Sequence, residues 1–554
     1  MKKLLILYLL AQTSLFAQVT SYKNGVVVSA HPEASKVGLA ILQKGGNAID
    51  ASIAVQFALA VVYPNAGNIG GGGFLVYRDK IGQVDALDYR EKAPENAFEE
   101  MYWDKDGNAI TDLSQYGQMA AGVPGTVDGM IKAHEKYGKL AWKDLVQPAI
   151  DLAKKGFKIS KQQAGELTKQ QTNFRKYNKH ANVFTSKKVW NEGDLLIQKD
   201  LATTLSLVQK KGRDGFYKGK VAQYIVDEMK SGNGIMSLAD LENYQSVWRT
   251  PVRGNYKDYQ IISMPPPSSG GIALVALLQS IENYPIEQYG FQSEKAVQVM
   301  VEAERRVYAD RAEHLGDPDF FTVPQKELLD KSYNQSRMKD FSFDKATPSS
   351  AIKAGDFSLY ESDETTHYVV VDKEGNAVSV TTTLNGSYGS KVVVKGAGFI
   401  LNNEMDDFSI KPGVPNMYGL VGGKANAIEP NKRMLSSMTP TIVEKNGDLF
   451  MVVGTPGGST IITSVFQAFL NVVAFDMTMQ EAVAAPRFHH QWLPDQIDYE
   501  ANAIDPNVRE QLTSKGYILK ERVPYGRVEG ILVNPDKTYQ AGADPRGDDS
   551  AVGY

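Results

Sequence analysis

The chain has 554 residues, which at roughly 150 residues per domain is a soft prior of three or four domains, a prior that large α/β enzymes exceed. Lys and Arg total 60 and Asp and Glu 64, a formal net charge of −4 without like-charge blocks, which argues against a general nucleic-acid-binding surface. With 42% apolar and 22% charged residues the composition is ordinarily globular, and the absence of cysteine removes disulfides, thiolate zinc sites, iron–sulfur clusters and cysteine nucleophiles together, leaving seven histidines.

Taken in order, Lys2 and Lys3, the apolar run Leu4 to Leu10 and the small Ala17 have the pattern of a secretory signal cut after Ala17, so export is expected. The apolar stretch Ala51 to Tyr63 carries Gln56 and is too short to cross a bilayer, so no membrane span is expected after signal removal. Glu33 to Lys44 has helical periodicity ending at Gly45-Gly46, and Asn47 caps a second apolar helix to Val62. Gly70 to Gly73 lacks the Lys-Ser/Thr ending of a nucleotide P-loop and reads as a tight loop before strands Phe74 to Tyr77 and Val84 to Tyr89. Residues 125 to 360 are mostly helical by pattern, with a loop at Pro265 to Gly271. Thereafter β-branched runs form hairpins: His367 to Val371 with Ala377 to Leu384, Thr441 to Glu444 with Leu449 to Val453, and a third around Asn534-Pro535-Asp536. Gly454 to Gly458 opens a helix from Ser459 to about Phe475, and the whole suggests an α+β layered arrangement.

Thr365 stands where the polar Glu361 to Asp363 becomes the first hairpin strand. A threonine hydroxyl is a weak nucleophile alone, but a cut before Thr365 would supply a base in its own α-amino group, with a reference pKa of about 7.7 to 8.0. By residues alone, serving as ordinary strand-start residues is by far the commoner fate of a Thr-Thr pair.

The segments NIGGGGF, LDYREKAP, DETTHYVVVDKEGNAVSVTTTLNGSYGS, LNNEMDDFSIKPGVPN, NKRMLSSMTPTI, GTPGGSTIITSVFQ and PRFHHQWLPD resemble those of the γ-glutamyltransferase (γ-glutamyl transpeptidase) family, in this order, from about residue 22 to Tyr554. The resemblance implies an N-terminal-nucleophile hydrolase with an αββα sandwich. It implies a precursor that cuts itself between Glu364 and Thr365 into a large subunit, 18–364, and a small one, 365–554, forming one intertwined heterodimer. It assigns Thr365 as nucleophile, Thr383 as the hydroxyl that assists it, and Gly457 and Gly458 as oxyanion-hole donors. Arg90, Ser436 and Ser437 match groups on the substrate α-carboxylate, and Asp407, Asn385 and Glu404 surround the α-ammonium; at Glu404 some relatives have glutamine. Tyr418 matches the gate of a lid loop over Lys411 to Gly423.

The implied activity is acyl transfer through a γ-glutamyl-threonine ester, from glutathione and related γ-glutamyl compounds to water or to an amino acid or dipeptide, in a periplasmic or secreted enzyme without cofactor. His489-His490 and Asp406-Asp407 invite metal readings, but neighbours on extended chain point apart and a third ligand is missing at useful spacing, so no metal is assigned. The competing functions are a glutaryl-amide (cephalosporin-type) acylase, expected to lack the ammonium partners, and an unprocessed glutathione-binding protein.

Overall fold

The computed structural model describes residues 20–353, 365–411, 414, 417 and 426–554. The signal, Glu364, Tyr418 and most of the lid loop therefore lie outside the described residues.

Two seven-stranded sheets dominate. One runs in the order Ser550–Gly553, Val26–Ser29, Thr366–Val371, Ala377–Thr383, Gly72–Arg78, Val84–Asp88, Val247–Arg249, with every neighbour antiparallel. The other runs Ser21–Tyr22, Tyr539–Ala543, Glu529–Val533, Asp448–Gly454, Thr441–Lys445, Tyr259–Ser263, Val252–Tyr256, likewise antiparallel.

The two-residue period of a strand decides which side chains meet. Val26, Val28, Phe74, Val369 and Val371 face Ile262, Ile442, Val452 and Ile531 in the core between the sheets. Their alternates Val27, Leu75, Tyr368 and Val370 pack outward with the helices Pro32–Gln43 and Ala48–Val62. On the opposite outer face Ile261, Val443, Met451 and Val453 pack with the helices Gly270–Ile281, Glu294–His314 and Thr460–Val473. The layers are αββα, as expected.

The three expected hairpins and the first helical pair form within a residue or two of their sequence bounds, and Asn47 caps the second helix through a capping box with Asp50. The middle of the chain is mostly helical, as expected, but it also holds strands that the pattern did not indicate. Val247–Arg249, Val252–Tyr256 and Tyr259–Ser263 are strands that serve both sheets. They are short, carry polar outer positions such as Arg253, Asn255 and Gln260, and include two sheet edges, where polar residues blunt the apolar alternation. A small sheet of Phe488–His489, Ile497–Glu500 and Leu519–Arg522 was also not anticipated.

Strands from before and after residue 364 are interleaved in both sheets. Val26–Ser29 lies between Ser550–Gly553 and Thr366–Val371, and Tyr259–Ser263 pairs with Thr441–Lys445.

Candidate active site

The register of the central hairpin places the two key threonines. Thr366 pairs with Thr382 and His367 with Thr381, so one step further sets Thr365 opposite Thr383. Directly opposite residues share a face with Cβ atoms about 4.5 to 5.5 Å apart. That face is the one looking between the sheets, since His367 and Val369 follow Thr365 along it. Thr365 is buried, at 8% exposure. Thr383 Oγ1 accepts a hydrogen bond from Asn385 N–H (2.7 Å).

Of the glycines expected to form a tight loop from Gly70 to Gly73, Gly72 and Gly73 instead begin the strand that pairs with Thr383 and Thr382, and the run holds the Thr383 strand end. A Cβ on Gly71 would lie 2.0 Å from Thr383 O, and on Gly73 2.5 Å from Thr381 O, so only glycine permits this approach. Asn68 completes the clamp, donating to Thr383 O (2.7 Å) while its own carbonyl accepts from Gly71 N–H (3.2 Å).

Gly457 and Gly458 arrive from the opposite sheet. Gly454, ending Asp448–Gly454, packs against the His367 ring so closely that a Cβ there would lie 2.2 Å from it. The following turn therefore passes beside the Thr365 end of its strand. Gly457 and Gly458 have φ of 131° and 65°, which side chains rarely adopt, and their N–H groups donate to nothing among the described residues. They precede the N-terminus of Thr460–Val473, whose dipole favours negative charge.

The Ser436-Ser437 turn is tied to this glycine turn by one helix. In Glu294–His314, Arg311 Nη2 donates to Ser437 Oγ (2.8 Å) and Tyr308, one turn earlier, donates its hydroxyl to Ser459 O. Ser436 Oγ accepts from Met438 N–H (3.2 Å).

Arg90 lies just beyond Val84–Asp88 and is 1% exposed. Its guanidinium donates to Glu404 Oε1, to Asp407 Oδ2, to Leu435 O (3.0 Å) and to Met434 O (3.3 Å). Four of its five N–H groups are so engaged. Burial works against its charge, but Glu404, Asp407 and Glu91 more than offset this. The carboxylates respond oppositely: burial pushes Glu404 and Asp407 above the usual range against the pull of Arg90, and burial with the Glu404 charge raises Glu91.

Besides both oxygens of Glu91, three buried acceptors here have no hydrogen-bond partner among the described residues: Asn385 Oδ1, Glu404 Oε2 and Asp407 Oδ1. Asn385 Nδ2 donates to Asn403 O (3.0 Å), the residue before Glu404, so the three belong to one cluster. An ammonium has three donors and no acceptor, and matches this set.

The structure thus brings together Thr365, Thr383, Gly457, Gly458, Arg90, Asn385, Glu404, Asp407, Ser436 and Ser437. Sequence reasoning missed Glu91, Tyr308, Arg311 and Asn403. Arg311 and Tyr308 sit in the stretch read only as mostly helical, and nothing in its pattern signals their burial. The histidine pair divides its contacts: His489 meets Thr463 Oγ1 and Gln491 Oε1 (both 2.9 Å), while His490 meets Asp495 (3.4 Å) and Trp492 N–H (3.0 Å). Asp406 accepts from Ser114 Oγ (2.5 Å) and Met417 N–H (3.2 Å) and diverges from Asp407, and burial raises it to about 6.

The αββα sandwich, with a threonine at the head of an inner strand, is that of the N-terminal-nucleophile hydrolases. A cephalosporin acylase from Bacillus halodurans shares the fold with a TM-score of 0.86 at 24% identity, covering 97% of each chain. Residues 34–554 match the gamma-glutamyltranspeptidase family, and the chain belongs to it. It is similar to the glutathione hydrolase proenzyme of Escherichia coli K12, 46% identical over 96% of this chain and 92% of that one. The gamma-glutamyltranspeptidase of Helicobacter pylori is 45% identical with a TM-score of 0.60, covering 61% of this chain and 97% of the matched one.

Proposed function

We propose that the protein is an exported glutathione hydrolase and γ-glutamyltransferase whose nucleophile is Thr365, freed by cleavage after Glu364. The observation that carries this reading is the buried triple of acceptors on Asn385, Glu404 and Asp407 around Arg90, which suits an α-amino acid head group. The ammonium would take the three open oxygens. The α-carboxylate would take the remaining Arg90 N–H and the hydroxyls of Ser436 and Ser437.

In maturation Thr365 Oγ attacks the Glu364 carbonyl carbon. The peptide C–N bond breaks, its nitrogen gains the hydroxyl proton, and an ester results; water hydrolyses the ester to leave Glu364 as carboxylate and Thr365 with a free amine. Fragments 18–364 and 365–554 would stay together because their strands alternate in both sheets. The 347 residues of the first (364 − 17) are close to the 61% share of this chain covered by the Helicobacter pylori chain, which supports a break there.

In turnover the Thr365 amine takes the Oγ proton as Oγ attacks the γ-carbonyl, and the developing oxyanion meets the Gly457 and Gly458 N–H groups. The amide C–N bond breaks and its nitrogen takes the proton from the ammonium. Water or an acceptor amine then cleaves the ester by the same proton traffic in reverse.

A glutaryl-amide acylase would have no use for acceptors on Asn385, Glu404 and Asp407 awaiting a cationic donor, which favours the γ-glutamyl reading. The test is to incubate purified protein with glutathione and follow free glutamate, with intact mass detecting a γ-glutamyl adduct on the fragment that begins at Thr365. Glutamate release with that adduct is expected; release of glutamate from the Thr365→Ala variant at the wild-type rate would refute it.

A further inference from the structure

A cleft of about 690 Å³ opens beside the glycine turn and belongs to none of the residues assigned above to the γ-glutamyl group except Gly457 at its edge. One side is the turn itself, Gly457, Ser459 and Thr460; the other is the end of the small sheet, where Lys520, Arg522 and Val523 project. The two sides touch at Gly526, whose Cα would lie 3.1 Å from a Cβ on Gly457.

The charge of this lining is one-sided. Lys520 forms no ion pair among the described residues. Arg522 is shared between Asp498 at 3.4 Å and the face of Tyr525 at 4.5 Å, and remains about one third exposed. The other carboxylate on this strand, Glu521, lies 4.0 Å from Arg509. His489 in the wall is neutral, because burial lowers it to about 3. Two cations therefore face one carboxylate. Val523, 78% exposed, adds an apolar surface beside them.

Position fixes what this charge can serve. With the γ-glutamyl head on Arg90 and the oxyanion on Gly457 and Gly458, as the proposed function has them, the bond to be broken lies at the glycine turn, and the cleft that Gly457 borders is where the rest of the substrate continues. Two extended residues span about 7 Å, the scale of a cleft of this size. The amine that attacks the acyl-enzyme must enter along the path by which the leaving amine departs, so one subsite serves both.

Building on the proposed function, we infer that Lys520 and Arg522 form a carboxylate-reading subsite for the peptide portion of the substrate, taking the terminal carboxylate of the leaving dipeptide and of the incoming amino acid or dipeptide acceptor. Exposed ion pairs are worth up to about 1 kcal/mol each, so losing both cations lowers discrimination by roughly tenfold.

The test uses the processed full-length enzyme and two donors sharing the γ-glutamyl head: glutathione, whose leaving group ends in a carboxylate, and γ-glutamyl-4-nitroanilide, whose leaving group does not. Acceptors are glycylglycine and its C-terminal amide. In the Lys520→Gln/Arg522→Gln double variant the ratio of kcat/KM for glutathione to that for the anilide falls about tenfold, and glycylglycine loses its advantage over the amide. Arg522→Lys on the wild-type background keeps most of the ratio, and added salt lowers the wild-type ratio but not that of the double variant. Equal loss on both donors, or an unchanged ratio, overturns the inference. A wild-type enzyme that turns over neither donor fails the proposed function itself, and the inference with it.

Discussion

Replacing Asp407 by Asn tests whether the buried acid beside Arg90 reads the substrate ammonium. Asp407 is 3% exposed, with one oxygen on Arg90 and the other without a partner among the described residues. Asn keeps the shape but removes the charge, and Arg90 retains Glu404. Truncating one partner of a buried charged pair costs about 2 to 5 kcal/mol, and the surviving Glu404 contact argues for the lower end. About 2 to 3 kcal/mol corresponds to roughly 30- to 150-fold in kcat/KM. The assay compares γ-glutamyl-4-nitroanilide with glutaryl-4-nitroanilide, which lacks the ammonium. The γ-glutamyl donor should lose the full factor and the glutaryl donor less than about threefold by the same arithmetic. Equal losses on both donors would refute the assignment, because the damage would then be to Arg90 or to packing.

Two further outcomes follow from the same geometry. His367 falls from 6.5 to about 3 in the folded protein because burial penalises its charge, so between those values the unfolded chain binds more protons and folding loses stability as pH falls. Denaturant unfolding at pH 7 and pH 5 should show the wild type losing up to about 1.4 kcal/mol per pH unit more than a His367→Asn variant below pH 6.5, and parallel slopes would contradict it; comparing the pair cancels the opposite contribution of the raised carboxyls. Gly454→Ala places a methyl 2.2 Å from the His367 ring and should cost about 1 to 3 kcal/mol in thermal unfolding while slowing fragment formation; a variant that unfolds and matures like the wild type would show that the glycine turn is not positioned through His367.

Much of the frame was legible in the sequence because the relevant patterns are local. Asn47 before an apolar helix, and β-branched runs around Asp372 to Asn376 and Lys445 to Asp448, carry their own start and stop signals. The strands from Val247 to Ser263 were not legible, since short edge strands with alternating polar residues lack a distinctive period. At the site, residues alone gave Thr365 a plausible chemistry without deciding it, and family resemblance supplied the rest. What neither supplied is the electrostatic arrangement. Arg90 is satisfied by two acids rather than waiting open for a carboxylate, and Glu91 and Arg311 are buried although a lone charged residue in sequence reads as surface. Such burial depends on contacts between segments more than 300 residues apart, as for Arg90 and Glu404, and no local pattern encodes it.

The most direct measurement is the intact mass, under denaturing conditions, of the wild-type protein beside Thr365→Ala. Two wild-type fragments corresponding to 18–364 and 365–554, against a single uncut variant chain, are expected if Thr365 cuts its own precursor. A wild-type chain that stays whole, or a variant cut as readily as the wild type, would contradict Thr365 as the nucleophile.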